Sequence, residues 1–268
     1  MPRGQSPHGK GVGFVTGLRR RGLNITSVLD EERKQAEIGY PAAIGEAGRH
    51  WLETKPFANE PRETARLLID FGYAVQLLDL RPGMSLVELG CGPGWMTIFA
   101  ARHGLEAAGY DIAPEMIEIA RRRAEAEGVH PHFDVGDMET LDLQHRYDAC
   151  LIYDALHHTP RADLVFAAAH RALKPGGSLL LAEPNWKQRY EGRPATGEYG
   201  TTELGYTPRR LKRLLREAGF DRVQRFHNNR KRLFGNSPRE IVAHVAEPLV
   251  YRLLSPFWTQ IWLRATAR

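Results

Sequence analysis

Residues 87–94 read Val-Glu-Leu-Gly-Cys-Gly-Pro-Gly, and this stretch decides the fold class. It closes a short apolar run at 84–89 and leads into a helical pattern that begins at Trp95. A strand, a Gly-rich turn and a helix N-terminus predict a nucleotide-type site, because glycine lets the backbone approach a ligand and the first helical amides face it. The spacing is G-x-G-x-G and no Lys-Ser/Thr pair follows, which excludes a dinucleotide fingerprint and a phosphate-binding loop.

Three acidic residues follow the ends of the first three predicted strands. Glu88 precedes the first glycine by two positions, where a carboxylate repels pyrophosphate and suits an ammonium or sulfonium group. Asp111 ends the second predicted strand, where it can accept hydrogen bonds from ribose hydroxyls. Asp137 follows the third and can accept from an adenine amino group. Because the carboxyl ends of parallel strands share one edge of a sheet, we expect the three acids along one crevice.

Strands and helices alternate along most of the chain. We predict a helix that opens at Pro61 and stops before Arg81, followed by strands that are at first continuously apolar. Such a pattern indicates an α/β fold with a doubly wound, mostly parallel sheet and helices on both faces. The predicted strands are 84–89, 107–110, 131–135, 147–153, 178–182, 222–227 and 240–246, and the later helices are 95–103, 114–127, 161–173 and 208–218.

A set of motifs resembles the signature of class I (Rossmann-like) S-adenosylmethionine-dependent methyltransferases, small-molecule branch, over about residues 60–247. The set comprises E-L-G-C-G-P-G at 88–94, Asp111, G-D-M-E at 136–139, Y-D-A-L-H-H at 153–158 and L-K-P-G-G-S-L-L-L at 173–181. The resemblance implies a seven-stranded sheet whose last strand is antiparallel, S-adenosylmethionine as cofactor and S-adenosylhomocysteine as product. No metal is expected, and H-x-H-x-D at 130–134 is interpreted as part of a strand.

The resemblance also assigns cofactor contacts. The glycines and Glu88 would line the methionine end, Asp111 would hold the ribose, and Asp137 with Met138 would hold the adenine. The predicted cofactor-binding residues are Glu88, Gly90, Cys91, Gly92, Gly94, Asp111, Ile112, Asp137 and Met138.

The motif after the fourth predicted strand carries the candidate chemistry. His158 is our candidate general base, His157 is the second candidate, and Asp154 completes the motif, because imidazole is the usual base near neutral pH. The D-x-x-x-H spacing also resembles phosphobase N-methyltransferases, where the histidine pairs with an N-terminal tyrosine, for which Tyr40 is a candidate here. The alternative is that both histidines cap the following helix or bond locally.

Segments outside the core should build the acceptor site. We divide the chain into an N-terminal extension and substrate cap at 1–59, a cofactor-binding domain at 60–247 with a lid insert at 186–206, and an amphipathic tail at 248–268. The candidate acceptor residues mix aromatic, basic and acidic groups, which suits an acceptor with a ring or chain and a negative charge. They are Tyr40, Trp51, Lys55, Glu183, Trp186, Tyr190 and Tyr199.

Charge is distributed unevenly along the 268 residues, whose formal net charge is +5. Residues 1–150 hold 17 basic and 22 acidic side chains, and residues after 205 hold 14 basic and 4 acidic. The basic excess raises nucleic acid, lipid head groups or a phosphorylated small molecule as partners. Trp, Phe and Arg in 256–268 suit docking on the body, a homodimer contact or peripheral membrane contact.

No secretory signal or membrane-span pattern is apparent, and the two cysteines, Cys91 and Cys150, rule out a disulfide framework. We therefore expect a cytoplasmic protein.

The leading hypothesis is methyl transfer to a small molecule, O-directed on a sugar, polyketide or related metabolite. The alternatives within enzymes are N-methylation of a phosphorylated amine and C-methylation of a ring or lipid. An RNA-directed methyltransferase or nucleic-acid binder is disfavoured, because no RNA-binding module is recognisable and no Asn/Asp-Pro-Pro-Tyr motif follows strand four. A cofactor sensor without turnover is the remaining alternative.

Overall fold

Three helices precede the sheet: α1 (Ile25–Ala43), α2 (Gly45–Thr54) and α3 (Pro61–Leu78). The computed structural model describes residues 25–57, 60–184, 195–197, 199–226, 237–239, 242, 246 and 260–268. Helix α3 begins as predicted, since Glu60 accepts hydrogen bonds from the amides of Arg62 and Glu63. The Gly- and Arg-rich composition of residues 1–28 predicts a mobile segment; residues 1–24 lie outside the described residues, whereas residues 25–28 belong to α1.

The sequence of residues 29–50 predicts a short helix followed by a break at Gly39 and Pro41, and this break is wrong. Helix α1 continues through both residues and ends at Ala43, and the chain turns at Gly45, whose φ is +69°. Proline removes a single backbone donor, and the apolar contact of Tyr40 and Ile44 with the surface around Leu52 supports the last turn.

Strands and helices then alternate. In chain order they are β1 (Ser85–Leu89), α4 (Trp95–Arg102), β2 (Glu106–Asp111), α5 (Pro114–Ala126), β3 (His132–Val135), β4 (Tyr147–Tyr153), α6 (Ala162–Ala172), β5 (Leu173–Glu183), β6 (Ala195–Thr196), β7 (Thr202–Glu203), α7 (Pro208–Glu217), β8 (Phe220–Phe226) and β9 (Ile261–Ala267). A short 3₁₀ turn, Leu156–His158, follows β4.

The main sheet has seven strands in the order β3-β2-β1-β4-β5-β9-β8. Strands β1 to β5 pair in parallel, and β9 runs antiparallel to both β5 and β8. This arrangement confirms the predicted doubly wound α/β sheet with an antiparallel last strand. The predicted lid insert contributes the small β6–β7 hairpin, which stands apart from the main sheet.

Helices cover both faces of the sheet. Helices α3 and α4 pack on one face through Leu67, Phe71 and Met96, and helices α6 and α7 pack on the other through Phe166 and Leu211. The cap helices α1 and α2 rest on α5 through Leu52 and Met116. This packing places the cap beside the carboxyl ends of β1 and β2, where the cofactor motif lies.

The last strand is built by a segment for which we predicted a different structure. Residues 261–267, which we placed in an amphipathic tail, form strand β9, and Trp262 and Leu263 are buried where it pairs with β5 and β8. Of the three alternatives for this segment, the burial agrees with docking on the body. The strand predicted at 240–246 is also wrong, since Val242 and Ala246 are helical. The aromatic and arginine residues of this segment suggested an amphipathic tail, whereas the segment is an interior strand next to the edge strand β8. Residues 256–259 lie outside the described part of the chain.

Among the described helices, none combines the length and apolar character that a membrane crossing requires.

Candidate active site

One cavity of about 900 Å³ lies at the carboxyl ends of β1, β2 and β4. The cavity is lined by the Gly-rich turn, the acids at the strand ends, the 3₁₀ turn after β4, the cap helices and the β6–β7 hairpin. The predicted residues it brings together are Tyr40, Trp51, Lys55, Glu88, Gly90, Cys91, Gly92, Asp111, Ile112, Asp137, Met138, Asp154, His157, His158 and Tyr199.

The Gly-rich turn is held by the strand beside it. The amides of Gly90 and Cys91 donate to the Tyr110 carbonyl at 2.8 and 3.0 Å. Asp111 accepts from the Gly92 amide through Oδ2 at 2.8 Å and from the Ala113 amide through Oδ1 at 2.9 Å. The predicted ribose acid therefore also fixes the shape of the turn, and burial raises its pKa.

Two glycines of the turn are needed for close packing. Gly90 has φ +72°, and a Cβ there would lie 2.6 Å from the Ala155 side chain. Gly94 has φ +73°, and its Cβ would lie 2.6 Å from the ring of Phe133. Only glycine fits both the left-handed backbone and the contact distance. Gly94 therefore supports the site from behind and is not among the residues that line the cavity.

Glu88 is a buried carboxylate, 2% exposed, at the end of β1. Its Oε2 accepts from the amide and hydroxyl of Thr97, at the start of α4. Burial raises the pKa of Glu88 to about 7, against the opposing effect of the Thr97 hydrogen bonds. A cation in the cavity would stabilise its ionised form.

Asp137 and Glu139 share a lysine from the cap. Lys34 Nζ lies 2.6 Å from Asp137 Oδ2 and 2.7 Å from Glu139 Oε2. Asp137 Oδ1 accepts from the Glu139 amide at 2.9 Å. The acid predicted for the adenine end is thus tied to α1, a contact that joins residues 103 positions apart.

His157 is almost fully buried and paired with Glu183. The Nδ1 atom of His157 lies 2.8 Å from Glu183 Oε2, and Glu183 Oε1 accepts from the amides of Ala155 and Leu156. Because Glu183 accepts a hydrogen bond from the N–H at Nδ1, the lone pair of the neutral imidazole is on Nε2. Glu183 is thus bonded to His157 and to two backbone amides and is not among the residues that line the cavity, so its predicted acceptor contact stays a prediction.

His158 lies beside His157, with ring centroids 4.0 Å apart. Its Nδ1 is 3.1 Å from the Thr202 carbonyl and 3.3 Å from Glu37 Oε1. A carbonyl can only accept, so Nδ1 carries a proton and Nε2 carries the lone pair of the neutral ring. The His158 side chain keeps 34% of its surface exposed, against 4% for His157.

Glu203 completes a cluster with the two histidines. One ligand atom from each of His157, His158 and Glu203 falls within a group whose members are all within 4.8 Å of one another. Two imidazoles and a carboxylate are a donor set that divalent transition metals accept. The sequence expectation of no metal at this site stays a prediction.

Asp154 adopts a left-handed backbone, with φ +52°, and its amide donates to the Ala182 carbonyl at 2.8 Å. Aspartate tolerates this conformation better than most residues. The turn directs the chain from β4 into the 3₁₀ turn and brings Asp154 to the cavity wall beside both histidines.

The cavity wall formed by the cap helices and the β6–β7 hairpin is aromatic. Tyr40 on α1 contacts Tyr199 edge to face, with ring centroids 5.7 Å apart, and burial raises the pKa of Tyr40. The ammonium nitrogen of Lys55 lies over the Trp51 ring, 4.6 Å from the ring centroid. Trp186 and Tyr190, also predicted here, lie outside the described residues.

The sequence reasoning missed Lys34, Glu37 and Glu203, which line the cavity. Lys34, Glu37 and Tyr40 recur every three residues, so they share a face of α1, and this spacing was the signal available. Glu203 is placed by the β6–β7 pairing, for which the sequence offers little pattern.

Comparison with known proteins gives a family for part of the chain. A family model described as "Methyltransferase domain" matches residues 86–177. A protein encoded in transposon TN4556 of Streptomyces fradiae, named as uncharacterized, is 35% identical over 156 residues, covering 53% of this chain and 45% of that protein. A ubiquinone biosynthesis O-methyltransferase of Xanthomonas oryzae pv. oryzae is 30% identical over 155 residues, covering 56% and 62%. The aligned region thus spans about half of each curated relative's length.

A solved structure has the same fold. Phosphoethanolamine N-methyltransferase 2 of Haemonchus contortus, in complex with S-adenosyl-L-methionine, superposes with a TM-score of 0.57. The match covers 87% of this chain and 60% of that chain at 15% sequence identity. At this level of sequence identity, the match shows that the two chains share a fold.

Proposed function

We propose that this chain, which contains a class I (Rossmann-like) S-adenosylmethionine-dependent methyltransferase domain, transfers a methyl group from S-adenosylmethionine to a small-molecule acceptor. One observation carries the proposal: the Gly-rich turn and the two imidazoles after β4 line the same cavity. A cofactor held at the turn can then present its methyl group to a nucleophile held at the imidazoles. Alignment of the methyl group with the nucleophile accounts for much of the rate acceleration of an in-line displacement.

Charge supports a cationic cofactor at this turn. Glu88, Asp111 and Asp137 all line the cavity: Glu88 is near the end of β1, Asp111 is the last residue of β2, and Asp137 follows β3. In our proposal Glu88 faces the ammonium group, Asp111 the ribose hydroxyls, and Asp137 with Met138 the adenine. Among the described residues, Ile112 and Cys91 complete the apolar walls of this end.

His158 is proposed as the general base. Its Nε2 bears the lone pair when Nδ1 donates to Thr202, and Glu37 beside Nδ1 stabilises the imidazolium that forms after proton uptake. The proton leaves the acceptor's hydroxyl as its oxygen attacks the methyl carbon, and the carbon–sulfur bond breaks to give S-adenosylhomocysteine. His157 remains the second candidate for the general base, and Asp154 is the acidic residue of the same motif.

The acceptor is proposed to be a hydroxylated small molecule, such as a sugar, a polyketide or a related metabolite. The ubiquinone biosynthesis O-methyltransferases among the relatives support O-direction. The aromatic pair Tyr40 and Tyr199 at the acceptor end supports a ring or chain of moderate size.

N-methylation of an amine is the second candidate. Glu37 and Glu203 lie on the acceptor side of the cavity, where carboxylates would hold a protonated amine. The solved phosphoethanolamine N-methyltransferase shares the fold. A base at His158 serves this reaction equally, because an ammonium group must lose its proton before it can attack.

Two experiments test the proposal in sequence. Titration calorimetry of the full chain with S-adenosylhomocysteine should show binding at one site. A panel of phenols, sugars and amines, incubated with methyl-labelled cofactor, should then show labelled product and reveal whether oxygen or nitrogen is modified. Absence of S-adenosylhomocysteine binding by folded protein would reject the function, and binding without turnover on any acceptor would favour the cofactor sensor.

A further inference from the structure

Two imidazoles and a carboxylate meet at one wall of the cavity. His157 and His158 lie in the 3₁₀ turn after β4, Glu203 ends β7, and all three line the cavity. One candidate ligand atom from each lies within 4.8 Å of the other two. Ligand atoms bound to one zinc ion lie about 3–4 Å apart, since their bonds to the ion are about 2.0–2.2 Å long. A change in the side-chain torsions of Glu203 covers the remaining difference.

Both imidazoles are oriented as metal ligands are. His157 Nδ1 lies 2.8 Å from Glu183 Oε2, and His158 Nδ1 lies 3.1 Å from the Thr202 carbonyl oxygen. A metal-binding histidine almost always donates its other ring N–H to a carboxylate, a backbone carbonyl or water, which fixes the tautomer and the ring direction. Because both Nδ1 atoms make such a bond here, Nε2 of each ring carries the lone pair that a metal ion requires.

Backbone hydrogen bonds hold the β6–β7 hairpin against the two histidines. The amide of Leu204 donates to the His157 carbonyl at 2.9 Å, and the amide of Thr202 donates to Glu37 Oε1 at 2.7 Å. Thr202 and Leu204 flank Glu203, so these bonds fix the backbone of Glu203 relative to the rings. The three donor groups are therefore brought together by the fold itself, before any acceptor binds.

Negative charge surrounds the imidazoles. Glu183 is bonded to His157. Glu37 Oε1 lies 3.3 Å from His158 Nδ1, and Glu203 adds a third carboxylate. With neutral imidazoles, three carboxylates give this wall a negative charge that attracts a divalent cation. Imidazole nitrogen suits Zn²⁺, Cu²⁺, Ni²⁺ and Fe²⁺, whereas Mg²⁺ and Ca²⁺ prefer oxygen ligands.

We propose that His157, His158 and Glu203 bind one divalent transition-metal ion, such as Zn²⁺, and that its binding blocks proton transfer at His158. The ligands are Nε2 of each imidazole and a carboxylate oxygen of Glu203. The block follows because the ion takes the lone pair with which His158 would accept the acceptor's proton, and this consequence rests on the proposed function. For this cluster, the inference replaces the sequence expectation of a protein without metal.

Metal titrations of the full chain test the site. After treatment with a chelator, calorimetry with Zn²⁺ should show one tight site, and Mg²⁺ should not compete for it. Glu203→Gln and His158→Ala should each weaken binding at this site about hundredfold or more, because loss of a mere hydrogen-bond partner of a ligand already costs about 10–100-fold. Thermal unfolding verifies that each variant is folded, and Glu203→Gln keeps the shape of the side chain.

His132→Ala is the matched control. His132 is exposed on β3 and belongs to the H-x-H pair at 130–132, away from the residues that line the cavity. Its removal should leave Zn²⁺ affinity unchanged, which separates the proposed site from binding at a surface histidine.

Turnover provides a second readout. With an acceptor found by methyl-labelled cofactor, Zn²⁺ at a concentration that saturates the site should reduce turnover about tenfold or more, and a chelator should restore it. His132→Ala should be inhibited like the wild-type protein. Turnover that persists or rises when the site is saturated would overturn the block at His158.

The remaining outcomes separate this inference from the proposed function. Absence of a tight Zn²⁺ site in the folded wild-type protein overturns the inference, as does full affinity in both Glu203→Gln and His158→Ala. These titrations contain no cofactor and no acceptor, so their failure leaves the proposed function standing. Failure of the folded protein to bind S-adenosylhomocysteine rejects the proposed function and leaves the metal titrations unaffected.

Discussion

Glu183 and His157 form a buried pair, with Glu183 Oε2 and His157 Nδ1 2.8 Å apart and the two residues 2% and 3% exposed. The other oxygen of Glu183 accepts the amides of Ala155 and Leu156. The end of β5 thus fixes the shape of the turn after β4 and the ring orientation of His157. A histidine held this way presents Nε2 to the cavity in a defined direction.

Glu183→Gln should lower the free energy of unfolding by about 1–3 kcal/mol. An amide has one acceptor oxygen, so either the two backbone amides or the imidazole N–H would face an NH₂ group. Denaturant unfolding measures the loss. Glu217→Gln, on the exposed side of α7, is the matched control and should leave stability unchanged. A fully stable Glu183→Gln protein would show that the turn is held by other contacts.

His158→Ala should reduce turnover about 10²–10⁴-fold while cofactor affinity changes less than about twofold. Turnover falls because the imidazole takes the acceptor's proton. Cofactor affinity changes little because the imidazole lies beyond the cofactor turn. Rates on an acceptor found with methyl-labelled cofactor, together with calorimetry, provide the two readouts. His157→Ala is the comparison: if it abolishes turnover while His158→Ala does not, the base is His157.

Asp111→Ala should weaken S-adenosylhomocysteine binding about thirtyfold or more, because it removes the proposed ribose acceptor and releases the amides of Gly92 and Ala113. Calorimetry measures the change. Asp134→Ala removes an exposed carboxylate from the neighbouring strand β3 and should bind normally. Normal binding by Asp111→Ala would exclude Asp111 from the ribose site.

Cofactor affinity should rise between about pH 6 and about pH 8, because burial holds the Glu88 pKa at about 7. In the free protein, the raised pKa means that ionised Glu88 destabilises the folded state. This destabilisation grows as the pH rises from the ordinary pKa of a glutamate toward 7. A bound ammonium group favours the ionised form, so binding releases a proton in this range. Calorimetry in buffers of different ionisation enthalpy counts that proton.

Glu88→Gln should abolish both the pH slope and the released proton. A ligand without the amino-acid group, 5′-methylthioadenosine, should show neither with the wild-type protein. A slope that persists in Glu88→Gln would assign it to another group.

Trp262→Ala should cost about 3–5 kcal/mol of stability. Trp262 is 1% exposed in β9, and its ring contacts Tyr73 and Tyr153 edge to face. Denaturant unfolding measures the loss, and Arg268→Ala, at an exposed end, is the control that should leave the transition unchanged. An unaltered Trp262→Ala transition would contradict the burial of β9 between β5 and β8.

Much of the fold could be predicted because its signals are local. The G-x-G-x-G turn, the acids at strand ends and the Pro-led helices each occupy a few consecutive residues, and the sheet confirms the architecture they indicate. Two of the errors arise where local signals are weak or compensated. Pro41 removes one hydrogen bond that packing replaces, and β9 resembles an amphipathic segment until the strands on both sides of it are known.

The sequence by itself determined the fold class and predicted the edge of the sheet where a cofactor and the candidate bases would meet, because chain direction places the carboxyl ends of parallel strands together. Only the tertiary structure decided which groups meet across that edge. Glu37 reaches the Thr202 amide from 165 positions away, and Lys34 reaches Asp137 from 103. The position of Lys55 in the cavity likewise depends on how α2 packs against α5. Such pairings follow from the packing of whole elements and leave no periodic signal in the chain.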